Sequence, residues 1–297
     1  MYVILGATGK AGRATVAALR ANGAAVRAVV RDLARAEGLS ALGCEIAVAD
    51  LNDPAALRAA FEGATAAQII CPVPFRADDP AAEMRRTIDT VAGALAAAAV
   101  PTVLAISDYG AELAAGTGVT LAFHHMEVRL SALPASLTFL RSAEHMQNWV
   151  RVIAVAAETG ILPMLHHPVT KRFPTISAPD LGPIAAALLT TPADGTGVDG
   201  AGPRIIHAEG PRRYTAEDAA AALGRIVGRP VVARELPRAQ WMATLERGGL
   251  SPGYAALVSE LYDAHNAGQI DAEAGVGELR RGTTDLSAVF AALLSSR

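Results

Sequence analysis

Lysine is almost missing from this chain. Lys10 and Lys171 are its two copies, and neither lies four residues after a tyrosine. A Tyr-x-x-x-Lys pair, in which an ammonium group lowers a phenol's pKa for proton transfer, is therefore excluded. Cysteine is equally scarce. Cys44 and Cys71 build neither a disulfide scaffold nor a thiolate metal site, and they read as reduced thiols of the cytoplasm. A basic excess is absent: Lys and Arg number 26 against 29 Asp and Glu. No field exists to neutralise a run of phosphates, and no nucleic-acid partner is expected. Charged residues reach only 19% against 52% hydrophobic, the reverse of a disordered composition. A long apolar run is missing too. Val91–Ile106 is the nearest approach, at 16 residues with Pro101 inside it, short of the about 20 that cross a bilayer. The N-terminal apolar run ends at Gly6 with no basic leader before it, so no membrane partner is expected and the location reads as cytoplasmic.

What is present is a regular alternation. Tyr2–Leu5, Ala25–Val30, Glu45–Ala49, Ala67–Cys71, Thr102–Ser107 and Leu137–Leu140 read as short buried strands. Helices are expected between them at Ala14–Asn22, Leu33–Leu42, Asp53–Glu62, Asp79–Ala99 and Val119–Leu133, with another at Glu144–Thr159. Strands apolar on both faces, spaced by helices, imply right-handed βαβ crossovers. The fold class is α/β, a Rossmann-like parallel sheet with helices on both faces. Beyond Gly160 the pattern loosens. Helices are expected at Asp180–Leu189, Thr215–Val227 and Asp285–Leu294, with strands at Arg204–His207 and Val231–Leu236. Residues 1–159 are read as the nucleotide-binding part. Residues 160–297 form a smaller α/β substrate lobe interleaved with it.

The turn Gly6-Ala7-Thr8-Gly9-Lys10-Ala11-Gly12 sits between the first strand and the first helix. Gly6 permits the tight turn, Gly9 lets a pyrophosphate approach the backbone, and Gly12 allows close packing of helix on sheet. Thr8, Lys10 and Ala11 complete the cradle, whose free amides and helix N-terminus hold phosphate charge. At the end of strand two stands Arg31 where a ribose-binding acid would favour the unphosphorylated dinucleotide. Its planar guanidinium suits a 2′-phosphate, which selects NADPH. Asp50 and Leu51 follow strand three and are expected at the adenine, although Asp50 equally suits a turn cap. Cys71 and Pro72 follow strand four beside the cofactor, with Phe75 toward the substrate.

GATGKAGRATVAAL, VRAVVRD, VADLNDPAALRAAFEG and AISDYGAE resemble the NmrA-like branch of the atypical short-chain dehydrogenase/reductases. The likeness continues through FHHMEVRLSALPASLTFLRSAEHMQNW and DLGPIAAALL, to about residue 235. The resemblance implies a Rossmann fold with a small C-terminal lobe, and often NADPH. It implies either reduction of quinones, dyes or phenylpropanoids, or dinucleotide sensing without turnover. By that likeness Gly6, Gly9 and Gly12 are the phosphate turn, Arg31 the 2′-phosphate contact, and Asp50 and Leu51 the adenine side.

Without a Tyr/Lys pair, proton donation falls to Ser107, Tyr109, His124 and His125, with Tyr109 and His125 favoured. Glu127 reads as structural, pairing with Arg129 or Arg141. Phe75, His124, Met146 and Trp149 are the expected substrate wall, with Asn148 a polar contact and Trp241 and Met242 closing the cleft. The adjacent pairs His124-His125 and His166-His167 lack a third ligand at useful spacing, so no metal is expected. The expected function is an NADPH-dependent oxidoreductase passing hydride to a quinone-like or other conjugated acceptor, as a monomer or homodimer. The alternative is a non-catalytic NAD(P)-sensing protein with a protein partner.

Overall fold

Apolar residues that alternate along each short strand give the sheet two faces to cover. In the computed structural model, which describes residues 1–191 and 202–295, Val3, Val103 and Ala105 face one core while Ile4, Leu104 and Ile106 face the other. The chain runs β1 (Tyr2–Ile4), α1 (Lys10–Ala21), β2 (Val26–Val30), α2 (Glu37–Ala41), β3 (Glu45–Val48) and α3 (Pro54–Phe61). It continues through β4 (Ala66–Ile70), α4 (Pro80–Ala97), β5 (Thr102–Asp108), α5 (Thr120–Ser131) and β6 (Ser136–Ser142). Then come β7 (Glu144–His145), α6 (Val150–Thr159), β8 (Ile161–Met164), β9 (Thr175–Ile176), α7 (Leu181–Thr190) and β10 (Arg204–Glu209). The last elements are α8 (Ala216–Val227), β11 (Val232–Glu235), α9 (Trp241–Arg247), α10 (Pro252–Asn266), β12 (Glu278–Arg281) and α11 (Leu286–Ser295).

Eight strands form one parallel sheet in the order β12-β10-β6-β5-β4-β1-β2-β3. Helices α3, α4 and α5 cover one face, and α1, α2 and α7 the other. This is the Rossmann-like arrangement expected. Gly182 lets α7 lie on α1, because a Cβ there would overlap the Ala14 backbone. A third core joins Met146, Trp149 and Ile153 to α8 and α11. No helix among the described residues is long and apolar enough to cross a membrane.

Local chemistry explains most element ends. Asp53 and Asp79 cap α3 and α4 ahead of a proline at the first turn. Thr215 and Asp218 form a reciprocal capping box on α8. Three expectations need correction. The first helix begins at Lys10, not Ala14, because the glycines are absorbed into its start. Asp32 caps a 3-10 turn at Leu33–Arg35, which splits the second expected helix. Glu144–Thr159 is not one helix: β7 pairs with β9 and a 3-10 turn precedes α6. The strand expected near residue 231 is present as β11, which joins β8 in a separate two-stranded sheet. The strands β8, β9 and β12 have no counterpart in the residue pattern.

A buried cation ties the carboxyl ends of β5 and β6 to the rest. Arg141 Nε and Nη2 donate to the two oxygens of Glu127 on α5 at 3.0 and 2.8 Å. Its Nη1 donates to Glu273 at 2.6 Å, and Glu112 lies 3.0 Å from the same nitrogen. The Arg141 side chain is only 5% exposed and that of Glu127 9%. Removing the guanidinium strands the buried Glu127 carboxylate with little water. Arg141→Ala is therefore expected to cost about 3–5 kcal/mol, read from the urea midpoint. Arg141→Lys should recover part of it, since an ammonium cannot form the two-pronged bond.

Candidate functional site

The carboxyl ends of the parallel strands open into a cleft of about 670 Å³, where open α/β sheets hold their ligands. At one end lie Gly6, Thr8, Gly9, Arg31, Arg35 and Leu51. Gly6 has φ +67°, and a Cβ there would overlap Ile70. A Cβ on Gly12 would overlap the Gly6 carbonyl, so Gly12 works as packing beneath the turn rather than as lining. No side chain caps α1 at Gly9, which leaves its first amides to a ligand. Arg31 and Arg35 project along this end, and neither has an acidic partner among the described residues. The Asp32 carboxylate is occupied with the Ala34 amide at 2.9 Å. These features suit a phosphate-bearing ligand. Lys10, Ala11 and Asp50 do not line the cleft. The Asp50 carboxylate accepts from the Asn52 amide at 2.8 Å, the turn-capping role.

In the middle are Cys71, Pro72, Phe75, Ser107 and Asp108. Burial pushes the Cys71 thiol up to about 12, so it is inert. The expected proton donors behave differently from the sequence reading. Ser107 Oγ donates to Glu127 at 2.6 Å and so belongs to the Arg141 cluster. Tyr109 reaches the cleft wall, but its hydroxyl donates to Glu209 at 3.2 Å, and burial and that carboxylate push its pKa up. Arg213 holds the same Glu209. His125 does not reach the cleft: its Nε2 lies 3.0 Å from Asp89 Oδ1 on the outer side, where Arg129 shares the carboxylate. His124 Nδ1 lies 2.8 Å from the Ala111 carbonyl oxygen and is likewise no lining residue. Their neighbour Phe123 is the residue of that segment facing the cleft. Met146 is fully buried in the third core, and Trp241 and Met242 also stay off the lining, whereas Trp149 and Asn148 do line it.

The far end is built mainly by α10, whose side chains the residue pattern does not single out. Tyr254, Val258, Leu261, Tyr262 and His265 recur at helical spacing along one side of α10, and all line the cleft. That periodicity was the available signal. Opposite them stand Glu144, His145, Arg151 and His166. Burial lowers His145 and His265 to about 4, so both are neutral near pH 7. Burial raises Tyr254 to about 12.

Asp108 closes the β5 end. Burial raises its carboxyl to about 7, against the hydrogen bond from Thr120 Oγ1 at 2.7 Å. The folded state thus holds a proton on Asp108 that the unfolded chain releases near 3.8. The stability this provides is fully present below that value and is lost as pH rises through about 7. Asp108→Asn removes the dependence. Relative to the variant, the wild type should lose stability between about pH 4 and pH 7 and then level off. Urea unfolding of both proteins across that range checks it.

Comparison with known proteins agrees with this architecture. The chain is 27% identical over 267 residues to an NAD(P)H azoreductase of Xenophilus azovorans, covering 88% of this chain and 86% of that protein. It is 31% identical over 241 residues to a (4-alkanoyl-5-oxo-2,5-dihydrofuran-3-yl)methyl phosphate reductase of Streptomyces griseus, covering 80% and 77%. The solved structure of a triphenylmethane reductase from Citrobacter sp. superimposes with a TM-score of 0.81 at 19% identity, over 99% of each chain. The model of the NmrA-like family matches residues 2–279, and the chain belongs to that family.

Proposed function

We propose that this protein is an NADPH-dependent reductase that passes hydride to a quinone-like or other conjugated small-molecule acceptor. One observation carries the reading. A single cleft runs unbroken from the glycine turn and two unpaired arginines to a chamber walled by Phe75, Phe123, Trp149, Tyr254 and Tyr262. The first end fits a phosphorylated dinucleotide, since Gly6 and Gly9 clear the backbone and Arg31 and Arg35 offer planar cations for a 2′-phosphate. NADPH, when bound, supplies the hydride. Cys71 and Pro72 would help hold the dinucleotide, while the aromatic walls exclude water and offer a surface on which a flat acceptor can stack. The names of both sequence relatives support a conjugated acceptor, an azo compound in one and an unsaturated furanone phosphate in the other. Residues 1–159 serve the dinucleotide and residues 160–297 supply much of the acceptor wall. An NADPH-fed enzyme of this kind belongs in the cytoplasm.

A second reading has its own support. Ser107 and Tyr109 are both bound to internal carboxylates, which suits a dinucleotide sensor without turnover. A panel of quinones, azo dyes and triarylmethane dyes with NADPH separates the two. Steady NADPH consumption above the blank is expected. Tight NADPH binding with no consumption across the panel establishes the sensor instead. Arg31→Ala should weaken NADPH about tenfold or more while moving NADH little, in line with loss of one charge-assisted bond. Calorimetric titration of both cofactors reads the difference, and equal weakening overturns the assignment of Arg31.

A further inference from the structure

The far end of the cleft holds a hydrogen-bonded array assembled from three distant segments. Tyr262 Oη, on α10, donates to Glu144 Oε1 at 2.6 Å. His166 Nε2, beyond β8, lies 2.8 Å from Glu144 Oε2. All three residues line the cleft, yet the side chain of His166 is only 3% exposed and that of Glu144 12%. The array is held in place from outside. The Glu144 carbonyl accepts from Thr175 Oγ1 at 2.6 Å across the β7–β9 pair. The His166 ring stacks on Phe173 at 3.8 Å, and it meets Tyr262 edge-on at 4.8 Å. His265 stands edge-on to His166 at 5.6 Å.

A buried carboxylate at a cleft wall is costly unless it has work or partners. Burial alone would raise Glu144, but the hydrogen bond and charge of His166, with the Tyr262 hydroxyl, hold it below the ordinary carboxylate range. The remaining charged or titratable groups around the array are His145, His265, Arg151, Tyr254 and Asp108. Ser107 and Tyr109, at the β5 end, also donate to carboxylates, but arginines hold those carboxylates and cannot pass on a proton, whereas His166 holds Glu144; His125 lies outside the cleft.

We propose that Tyr262, Glu144 and His166 form the proton-delivery path of this site, with Tyr262 the catalytic acid and the other two positioning and recharging it. The proposal rests on the reductase reading above. Hydride addition to a quinone carbon leaves a negative charge on the acceptor oxygen. The Tyr262 O–H bond breaks and an O–H bond forms on that oxygen. His166 passes its Nε2 proton to Glu144, whose carboxyl turns and returns a proton to the Tyr262 oxygen. A solvent proton then replaces the one lost from His166 Nε2, so the proton consumed comes from solvent and the array returns to its starting protonation. An azo nitrogen is protonated in the same way. A triarylmethane cation differs: hydride alone converts it to a neutral product, and no proton is consumed.

That difference supplies the test. Tyr262→Phe and Glu144→Gln are assayed at saturating NADPH against a neutral naphthoquinone and a triarylmethane cation. Calorimetric NADPH affinity and the thermal midpoint report the integrity of the site. Quinone turnover is expected to fall about a hundredfold in Tyr262→Phe, the usual scale of general acid catalysis, and at least about tenfold in Glu144→Gln. At saturating acceptor the loss with the quinone should exceed any loss with the cation by at least about tenfold in both variants. Equal losses with both acceptors, or no loss with either, overturn the proton path while leaving the reductase reading intact. Wild-type protein that reduces the cation but not the quinone also overturns it. Wild-type protein that binds NADPH and reduces nothing overturns the reductase reading, and the proton path with it.

Discussion

The contact between Arg141 and Glu127 sets the geometry of the substrate end. One guanidinium, nearly sealed from water, holds a two-pronged bond to α5 and reaches Glu273 and Glu112 in the C-terminal and β5–α5 segments. A buried ion cluster of this kind adds little net stability, because desolvation offsets the attraction. Its effect is positional. With Glu127 pinned inward, helical periodicity turns Phe123, four residues earlier, toward the cleft. His125, two residues from Glu127, is turned to the opposite side, where Asp89 receives it. The same carboxylate takes the Ser107 hydroxyl.

A second cluster works beside the first. Glu209, at the end of β10 and almost fully buried, accepts from Tyr109, Arg213 and Arg281. Arg213 is paired in turn with Asp271. The cluster joins the ends of β5, β10 and β12, and it uses the Tyr109 hydroxyl. Both hydroxyls at the end of β5 are thereby committed to internal carboxylates. Further polar groups on the cleft wall come from β7, from the segment after β8 and from α10. The site thus has two parts of different origin: a phosphate end made by local backbone geometry, and an acceptor end made by long-range packing.

That division matches what was legible in the residues. The glycine turn, the arginine after β2 and the order of strands and helices are local. Each depends on φ preferences, side-chain periodicity or a cap within a few residues, and these are written in the chain where they act. The Thr215–Asp218 capping box and the Asp53-Pro54 helix start are examples. The misreadings at Glu144–Thr159 and at β12 share a cause. Glu144–His145 is a strand only because Thr175–Ile176 pairs with it, and Glu278–Arg281 is polar and exposed, a strand only because β10 lies alongside.

The sequence by itself determined a parallel α/β sheet with a phosphate-binding turn at its first crossover, since spacing and glycine placement leave no other economical arrangement. Only the tertiary structure decided which polar side chains face the cleft. His125 and Glu144 are both plausible acid–base groups as letters in a row. Their roles separate because partners 36 and 118 residues away, Asp89 and Tyr262, reach one and the other. Burial then sets which groups carry charge, lifting Asp108 to about 7 and lowering His145 to about 4. Desolvation is a property of the folded surroundings, and no local pattern encodes it.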